Sequence, residues 1–94
     1  MSLENIEKQL FSIVKDEITH QLTLGRQENN LDPYSNEEVD DFFKLFLLEI
    51  ETIIHEMVEW ENRYADVNNL LEDSGVVMEN IYERTDIEQY ISNP

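Results

Sequence analysis

Carboxylates are the side chains in this sequence with the greatest capacity for chemistry. The chain has 22 Asp and Glu, six Lys and Arg, two His and no Cys among its 94 residues. The absence of Cys excludes disulfides, thiolate metal sites and cysteine nucleophiles. No Gly-x-Ser-x-Gly sequence and no glycine-rich phosphate loop is present either. Any site must therefore be built mainly from carboxylates and the two histidines.

One candidate metal site surrounds His55, which lies four residues from both Glu51 and Glu59. Side chains at this spacing share one face of a helix. We interpret this face as solvated, with ordinary surface pairs, because acids are frequent throughout the chain. The segment 55–59 also fails as a zinc-protease helix, because Glu59 stands where that motif needs its second His.

A second arrangement of acids spans two helical turns that are distant in sequence. Glu56-x-x-Glu59 is followed later by Glu83-x-x-Asp86. This pattern resembles the paired acidic turns with which all-α nucleotide pyrophosphohydrolases of the MazG type hold magnesium. The resemblance covers these four acids alone and implies a Mg²⁺-dependent enzyme, which we keep as the alternative. The hypothesis we prefer is a non-enzymatic protein without a cofactor.

The net charge of −16 and the pI near 4.1 restrict the partners of the chain. Such a polyanion is repelled by nucleic acids and by anionic membrane surfaces. A charge magnitude of about 2–8 already keeps a small domain soluble, so the excess suggests a use. We predict an acidic surface that binds a basic partner, formed by Glu37, Glu38, Asp40, Asp41, Glu51, Glu59, Asp66, Glu72 and Asp73.

The elements that must position these acids are helices in one domain, residues 1–94. An amphipathic helix is predicted over about 2–24 from Leu3, Ile6, Leu10, Ile13 or Val14, Ile18 and Leu22. Gly25 is predicted to end it, because glycine tolerates a left-handed conformation. A loop follows over 25–34. Ser35-x-x-Glu38 then has the pattern of a capping box, which predicts the start of a second helix.

The strongest pattern predicts one long helix over about 36–73. Apolar and aromatic residues there alternate at steps of four and three, which is typical of a coiled-coil or bundle helix. The core or dimer positions are Phe43, Phe46, Ile50, Ile53, Met57, Trp60 and Tyr64. Such a helix would be about 55 Å long. A second apolar face, formed by Leu45, Leu47, Leu48 and Ile54, needs a further neighbour.

The C-terminal segment over about 76–92 is predicted to be helical, with a strand as the alternative. Thr85-x-x-Glu88 is a second capping-box pattern that would divide it. Folding both outer segments back onto the long helix gives a small antiparallel all-α bundle, and a second copy would cover the remaining apolar face. Tyr34 and Tyr90 lie outside the heptad pattern and are candidate interface anchors.

Together these features predict a cytoplasmic, homodimeric, acidic binding protein. We expect its partner to be a basic host or toxin protein, most simply a nucleic-acid-binding protein that it inhibits as a DNA mimic. Phages and mobile elements encode proteins of this kind. An immunity protein is a further alternative, because it would have a similar composition. Another is a structural assembly protein whose heptad helix joins a heteromeric bundle.

Overall fold

The computed structural model describes residues 3–60 and 70–93, which form four helices and no strand. The helices are α1 (Leu3–Glu28), α2 (Asn36–Trp60), α3 (Leu70–Arg84) and α4 (Ile87–Ser92). Helix α1 packs against the other three, and α3 also packs against α2 and α4. The predicted all-α bundle is confirmed. None of these described helices has the length and apolar character needed to cross a membrane.

Helix α1 buries the apolar side that its sequence predicts. Every fourth residue along it is buried, in the series Ile6, Leu10, Val14, Ile18 and Leu22. Ile13, the alternative to Val14, is only half-buried. Positions four residues apart lie on one face of a helix, so this series forms a single stripe directed at the core.

The predicted end of α1 at Gly25 is wrong, because the helix continues to Glu28. The residue with a left-handed backbone is Asn30, at φ 58°. The Leu31 N–H donates to the Arg26 carbonyl at 2.9 Å, and the Asn30 N–H donates to the Gln27 carbonyl at 3.1 Å. These two bonds form a Schellman motif, with Asn in the position that glycine usually occupies.

Gly25 instead allows a close helix contact. It is buried inside α1, and a Cβ atom at this position would overlap the Ile91 carbonyl oxygen of α4. Any side chain other than hydrogen would push α4 away from α1. Gly25 therefore has a packing role here, since its φ is not positive.

The capping box at the start of α2 is confirmed. The Glu38 N–H donates to Ser35 Oγ at 3.2 Å, and the Ser35 N–H donates to Glu38 Oε1 at 3.1 Å. Two N–H groups at this helix end are thereby satisfied by reciprocal side-chain bonds. Glu37 and Glu38 in the first turn also interact favourably with the positive end of the helix dipole.

The predicted single helix over 36–73 is wrong. Residues 70–73 belong to α3, which continues to Arg84 and packs against α2. Arg84 Nη1 contacts Glu56 Oε2 at 2.7 Å. In one continuous helix these residues would be about 42 Å apart along the axis, so α2 and α3 are separate helices. The predicted break between the segments 36–73 and 76–92 is wrong too, since α3 runs through it and includes Gly75.

The predicted heptad positions on α2 face the core. Phe43, Ile50 and Ile53 are buried, whereas Phe46 and Met57 are half-buried. The Trp60 side chain and Tyr64 lie outside the described residues. Two residues outside the predicted heptad positions, Ile54 and Val58, are buried as well. Three further apolar residues, Leu45, Leu47 and Leu48, are exposed. The buried arc is wider than a heptad stripe because α1 and α3 both pack against α2.

The C-terminal segment is helical, as predicted, and divides into α3 and α4 at residues 85–86. The second capping box does not form. Thr85 Oγ1 donates to the Ile81 carbonyl at 2.6 Å and accepts from the Ile87 N–H at 3.3 Å. Helix α4 is fixed to the bundle by the fully buried Ile87.

Candidate functional site

The acidic side chains lie at the surface of the bundle. No Asp or Glu side chain that the structure describes is buried, and all except Glu7 and Asp73 are exposed. The predicted acidic surface is placed as follows: Glu37, Glu38, Asp40, Asp41 and Glu51 on α2, and Glu72 and Asp73 on the first turn of α3. The Glu59 side chain and Asp66 lie outside the described residues. The acids therefore span two helices instead of one.

Lys and Arg neutralise few of these acids. Between described residues, Lys15 contacts Asp40 at 3.4 Å, Lys44 contacts Asp41 at 3.5 Å, and Arg84 contacts Glu56 at 2.7 Å. All three pairs are largely exposed, so water and salt screen them and each contributes little. Much of the negative charge of the described acids therefore has no contact with Lys or Arg among the described residues.

His55 contacts an acid of α1. Its Nδ1 lies 2.8 Å from Glu7 Oε1. Both residues line a pocket of about 460 Å³ between α1 and α2, together with Glu51 and Lys8. Within residues 3–60 and 70–93, no three His, Asp or Glu side chains are grouped as ligands for a metal ion.

Glu56 of the magnesium-binding alternative is engaged by Arg84. The hydrogen bond that Arg84 donates, with its positive charge, holds the pKa of the Glu56 carboxyl below its ordinary value. The same bond raises the pKa of Arg84. Glu83 and Asp86 are exposed. Because the Glu59 side chain lies outside the described residues, the complete four-acid arrangement stays a prediction.

A groove lies beside the acids, where α1, α2 and α4 meet. We call it the Leu45 groove. Its volume is about 400 Å³, and its apolar and aromatic walls are Leu22, Tyr34, Val39, Phe42, Leu45 and Tyr90. Glu38 and Asp41 supply carboxylates to its lining. The two tyrosines predicted as interface anchors, Tyr34 and Tyr90, thus lie in one groove.

An aromatic cluster supports one wall of the Leu45 groove. The Tyr90 ring centroid lies 5.8 Å from that of Phe42 and 5.6 Å from that of Phe46, both edge-on. The Arg26 guanidinium carbon lies 4.7 Å from the centroid of the Tyr34 ring. These contacts hold the rings in place while 48% of Tyr90 stays exposed. The apolar surface extends from Leu45 to Leu48, three residues further along α2; they are 65% and 73% exposed.

Sequence reasoning missed the groove, because its residues come from separate segments. Val39, Phe42 and Leu45 are close in sequence, but Leu22 and Tyr90 join them only when α1 and α4 have packed. Two signals were available: the excess of apolar residues on α2 over those that a heptad stripe needs, and the two tyrosines outside the heptad pattern. Comparison of the chain with protein-family models, with curated proteins and with solved structures gave no match.

Proposed function

We propose that this protein is a non-enzymatic acidic binding protein that engages a basic, nucleic-acid-binding protein. The observation that carries this proposal is the exposure of essentially all described carboxylates, few of which contact a cation. A self-repelling surface of this kind destabilises the folded chain. A basic partner relieves that repulsion when it binds.

The density of charge supports competition with DNA. The residues that the structure describes span 44 × 21 × 20 Å, and the net charge of the whole chain is −16. This is one negative charge per about 2.8 Å of the long axis, compared with about one per 1.7 Å for duplex DNA. The sequence predicted a helix about 55 Å long, and the described residues are shorter than that. The negative charge per unit of this length is still more than half that of duplex DNA. A DNA-mimicking inhibitor is the specific form of the proposal.

Binding to a host lysate at two salt concentrations tests this function. We expect basic nucleic-acid-binding proteins to be retained on the immobilised chain at about 50 mM NaCl and released at about 0.5 M, where ions screen the attraction. Added duplex DNA should release these proteins from the chain, because DNA and a DNA mimic bind to the same surface of the partner. Retention that is insensitive to both salt and DNA would contradict the proposal.

A variant with fewer charges provides the matched control. Glu49, Glu51, Glu79 and Glu83 are exposed and contact no Lys or Arg among the described residues. Changing these four to Gln reduces the net charge from −16 to −12 with little change in shape. This variant should retain less partner at low salt and the same small amount at high salt.

We also propose that α1 and α2 run antiparallel. Glu7, early in α1, contacts His55, late in α2. Lys15 contacts Asp40 and lies 5.6 Å from the Phe43 ring centroid, both earlier in α2. Increasing residue numbers in α1 therefore pair with decreasing numbers in α2, which supports opposite directions.

The predicted homodimer stays a prediction, and fewer apolar residues are left to form its interface than the sequence indicated. Helices α1 and α3 pack against α2, which leaves Leu45, Leu47 and Leu48 exposed on it. A dimer must bring two chains of charge −16 together, so salt should strengthen it. Salt should weaken binding to a basic partner. Sedimentation velocity over the same salt range therefore separates the two associations.

A further inference from the structure

We infer that the Leu45 groove docks an amphipathic basic helix of the partner protein. This inference rests on the proposed function and specifies where the partner makes its apolar contact. An apolar side chain of that helix sits between the walls formed by Tyr34, Phe42 and Tyr90. Its Lys or Arg side chains lie beside Glu38 and Asp41.

The walls of the groove suit a rigid apolar anchor. Two of its rings are already supported within the chain, Tyr90 by Phe42 and Phe46, and Tyr34 by Arg26. Such pre-ordered aromatic walls lose little conformational freedom when a partner binds. Buried aromatic contacts of this kind commonly dominate the affinity of protein interfaces.

The exposed leucines fit a helix laid along α2. Leu45 and Leu48 lie three residues apart and therefore on one face, about one turn from each other. A partner helix with apolar residues at the same spacing can pack against both, as in other complexes where a helix occupies a groove. An extended strand has no comparable match, because this part of the surface has no free strand edge among the described residues.

Charge complementarity identifies the helix as basic. Glu38 and Asp41 line the groove. Glu49 lines a separate pocket with Leu48 and with Arg84, whose charge is paired with Glu56. Glu38 uses Oε1 for the capping box, and Oε2 makes no hydrogen bond to a described residue. Lys44 is the single cation of α2, and its contact with Asp41 is exposed. A second copy would bring the same acidic rim against this one, and an anionic membrane would be repelled as well.

Two synthetic peptides of leucine and lysine test this inference. In the first, the leucines recur at helical spacing and form one apolar face; the second has the same composition in shuffled order. Both are titrated calorimetrically into the intact chain at about 50 mM and about 0.5 M NaCl. We expect the amphipathic peptide to bind more tightly and to keep part of its affinity at high salt. The shuffled peptide should lose its affinity at high salt.

Three Leu→Ser variants locate the contact. Leu45→Ser and Leu48→Ser alter the proposed surface, whereas Leu71→Ser alters an equally exposed leucine beside Glu72 and Asp73 on α3. All three leave the net charge unchanged. Each of the first two should weaken the amphipathic peptide about tenfold, the effect typical of losing one well-packed interface side chain. Leu71→Ser should leave its affinity unchanged.

The outcomes separate this inference from the proposed function. Equal effects of all three variants, or none, would overturn docking in the Leu45 groove, even if both peptides bind at low salt as the proposed function requires. Failure of both peptides to bind at low salt would contradict the function and the inference together. A self-dimer that Leu45→Ser and Leu48→Ser dissociate would assign the surface to a second copy and overturn the inference.

Discussion

Gly25 and Gly75 both lie inside helices, and their surroundings differ. A Cβ at Gly25 would overlap the Ile91 carbonyl oxygen, whereas a Cβ at Gly75 would meet no atom within 4 Å. Neither residue has a positive φ. Glycine is therefore required by packing at the first position and is merely a poor helix former at the second.

Alanine substitutions at these two positions should have opposite effects on stability. Gly75→Ala should raise the free energy of unfolding by about 0.5–1 kcal/mol, the difference in helix propensity. Gly25→Ala should lower it by about 1–3 kcal/mol, because α4 must move away. Urea denaturation followed by circular dichroism measures both. A gain at both positions would show that α4 does not pack closely on α1.

The ionisation of Tyr82 affects the stability of the protein at high pH. Burial, followed by the negative charges of Glu17 and Glu88, raises the pKa of Tyr82 above its ordinary value. Above a pH of about 10 the unfolded chain loses this proton more readily than the folded chain. The stability that Tyr82 contributes is thus complete below that pH and is lost as the pH rises through the folded pKa.

Tyr82→Phe should reduce this alkaline destabilisation. We expect the variant to lose less stability than the wild type between about pH 9 and 11, and to lack the tyrosine whose pKa is raised by burial. Thermal melting across that range measures the first effect, and absorbance at the tyrosinate band measures the second. Identical alkaline losses in both proteins would contradict the raised pKa of Tyr82.

At the scale of elements, local hydrogen bonding was predictable for one of the two capping-box patterns, since Thr85-x-x-Glu88 does not form a capping box. The Ser35 and Glu38 capping box formed as its four-residue pattern indicated. The buried stripe of α1 was also predicted, because a series such as Ile6, Leu10 and Val14 repeats with one helical period. Both features depend on residues within a few positions of each other.

Helix ends and helix partners were less predictable for a common physical reason. The apolar spacing of 36–73 is satisfied equally by one long helix and by two helices that each bury a stripe. Gly25 was predicted to end α1 because glycine tolerates a left-handed conformation. Its contact with Ile91 could not be predicted, because α4 is distant in sequence. The Leu45 groove likewise requires three helices to be in place. Local patterns carry no information about such distant neighbours.

Removing the cap of α2 tests the contribution of one element boundary. Ser35→Ala should lower the free energy of unfolding by about 1 kcal/mol, since the Glu38 N–H loses its acceptor. Ser12→Ala provides the control, because Ser12 is exposed within α1 and its replacement should change stability by only a few tenths of a kcal/mol. If both variants melt at the same temperature, the capping box contributes nothing.

At the scale of the whole molecule, repulsion between acids is the property that governs behaviour in solution. The net charge of −16 is distributed over a body 44 Å long, and few described carboxylates have a cationic partner. At about 10 mM salt the screening length is about 30 Å, so charges across most of the molecule repel each other. Added salt removes that cost.

Raising NaCl from about 10 mM to about 0.5 M should therefore raise the melting temperature. A gain of about 1 kcal/mol corresponds to about 4–8 °C for a domain of this size. The variant in which Glu49, Glu51, Glu79 and Glu83 are changed to Gln should show a higher starting value and a smaller increase. A melting temperature that falls with NaCl would mean that attractive pairs outweigh repulsion.

The short helix α4 has a consequence for how often the Leu45 groove is ready to bind. Its six residues are too few to be helical alone, so their order depends on Ile87, on the contact at Gly25 and on Tyr90. Whenever α4 detaches, Tyr90 leaves and the Leu45 groove loses a wall. The observed affinity of the groove is then its intrinsic affinity multiplied by the fraction of molecules in which α4 is attached. Backbone amides of α4 should exchange hydrogen faster than those of the other helices. A ligand in the groove should slow the exchange of α4 more than that of the other helices.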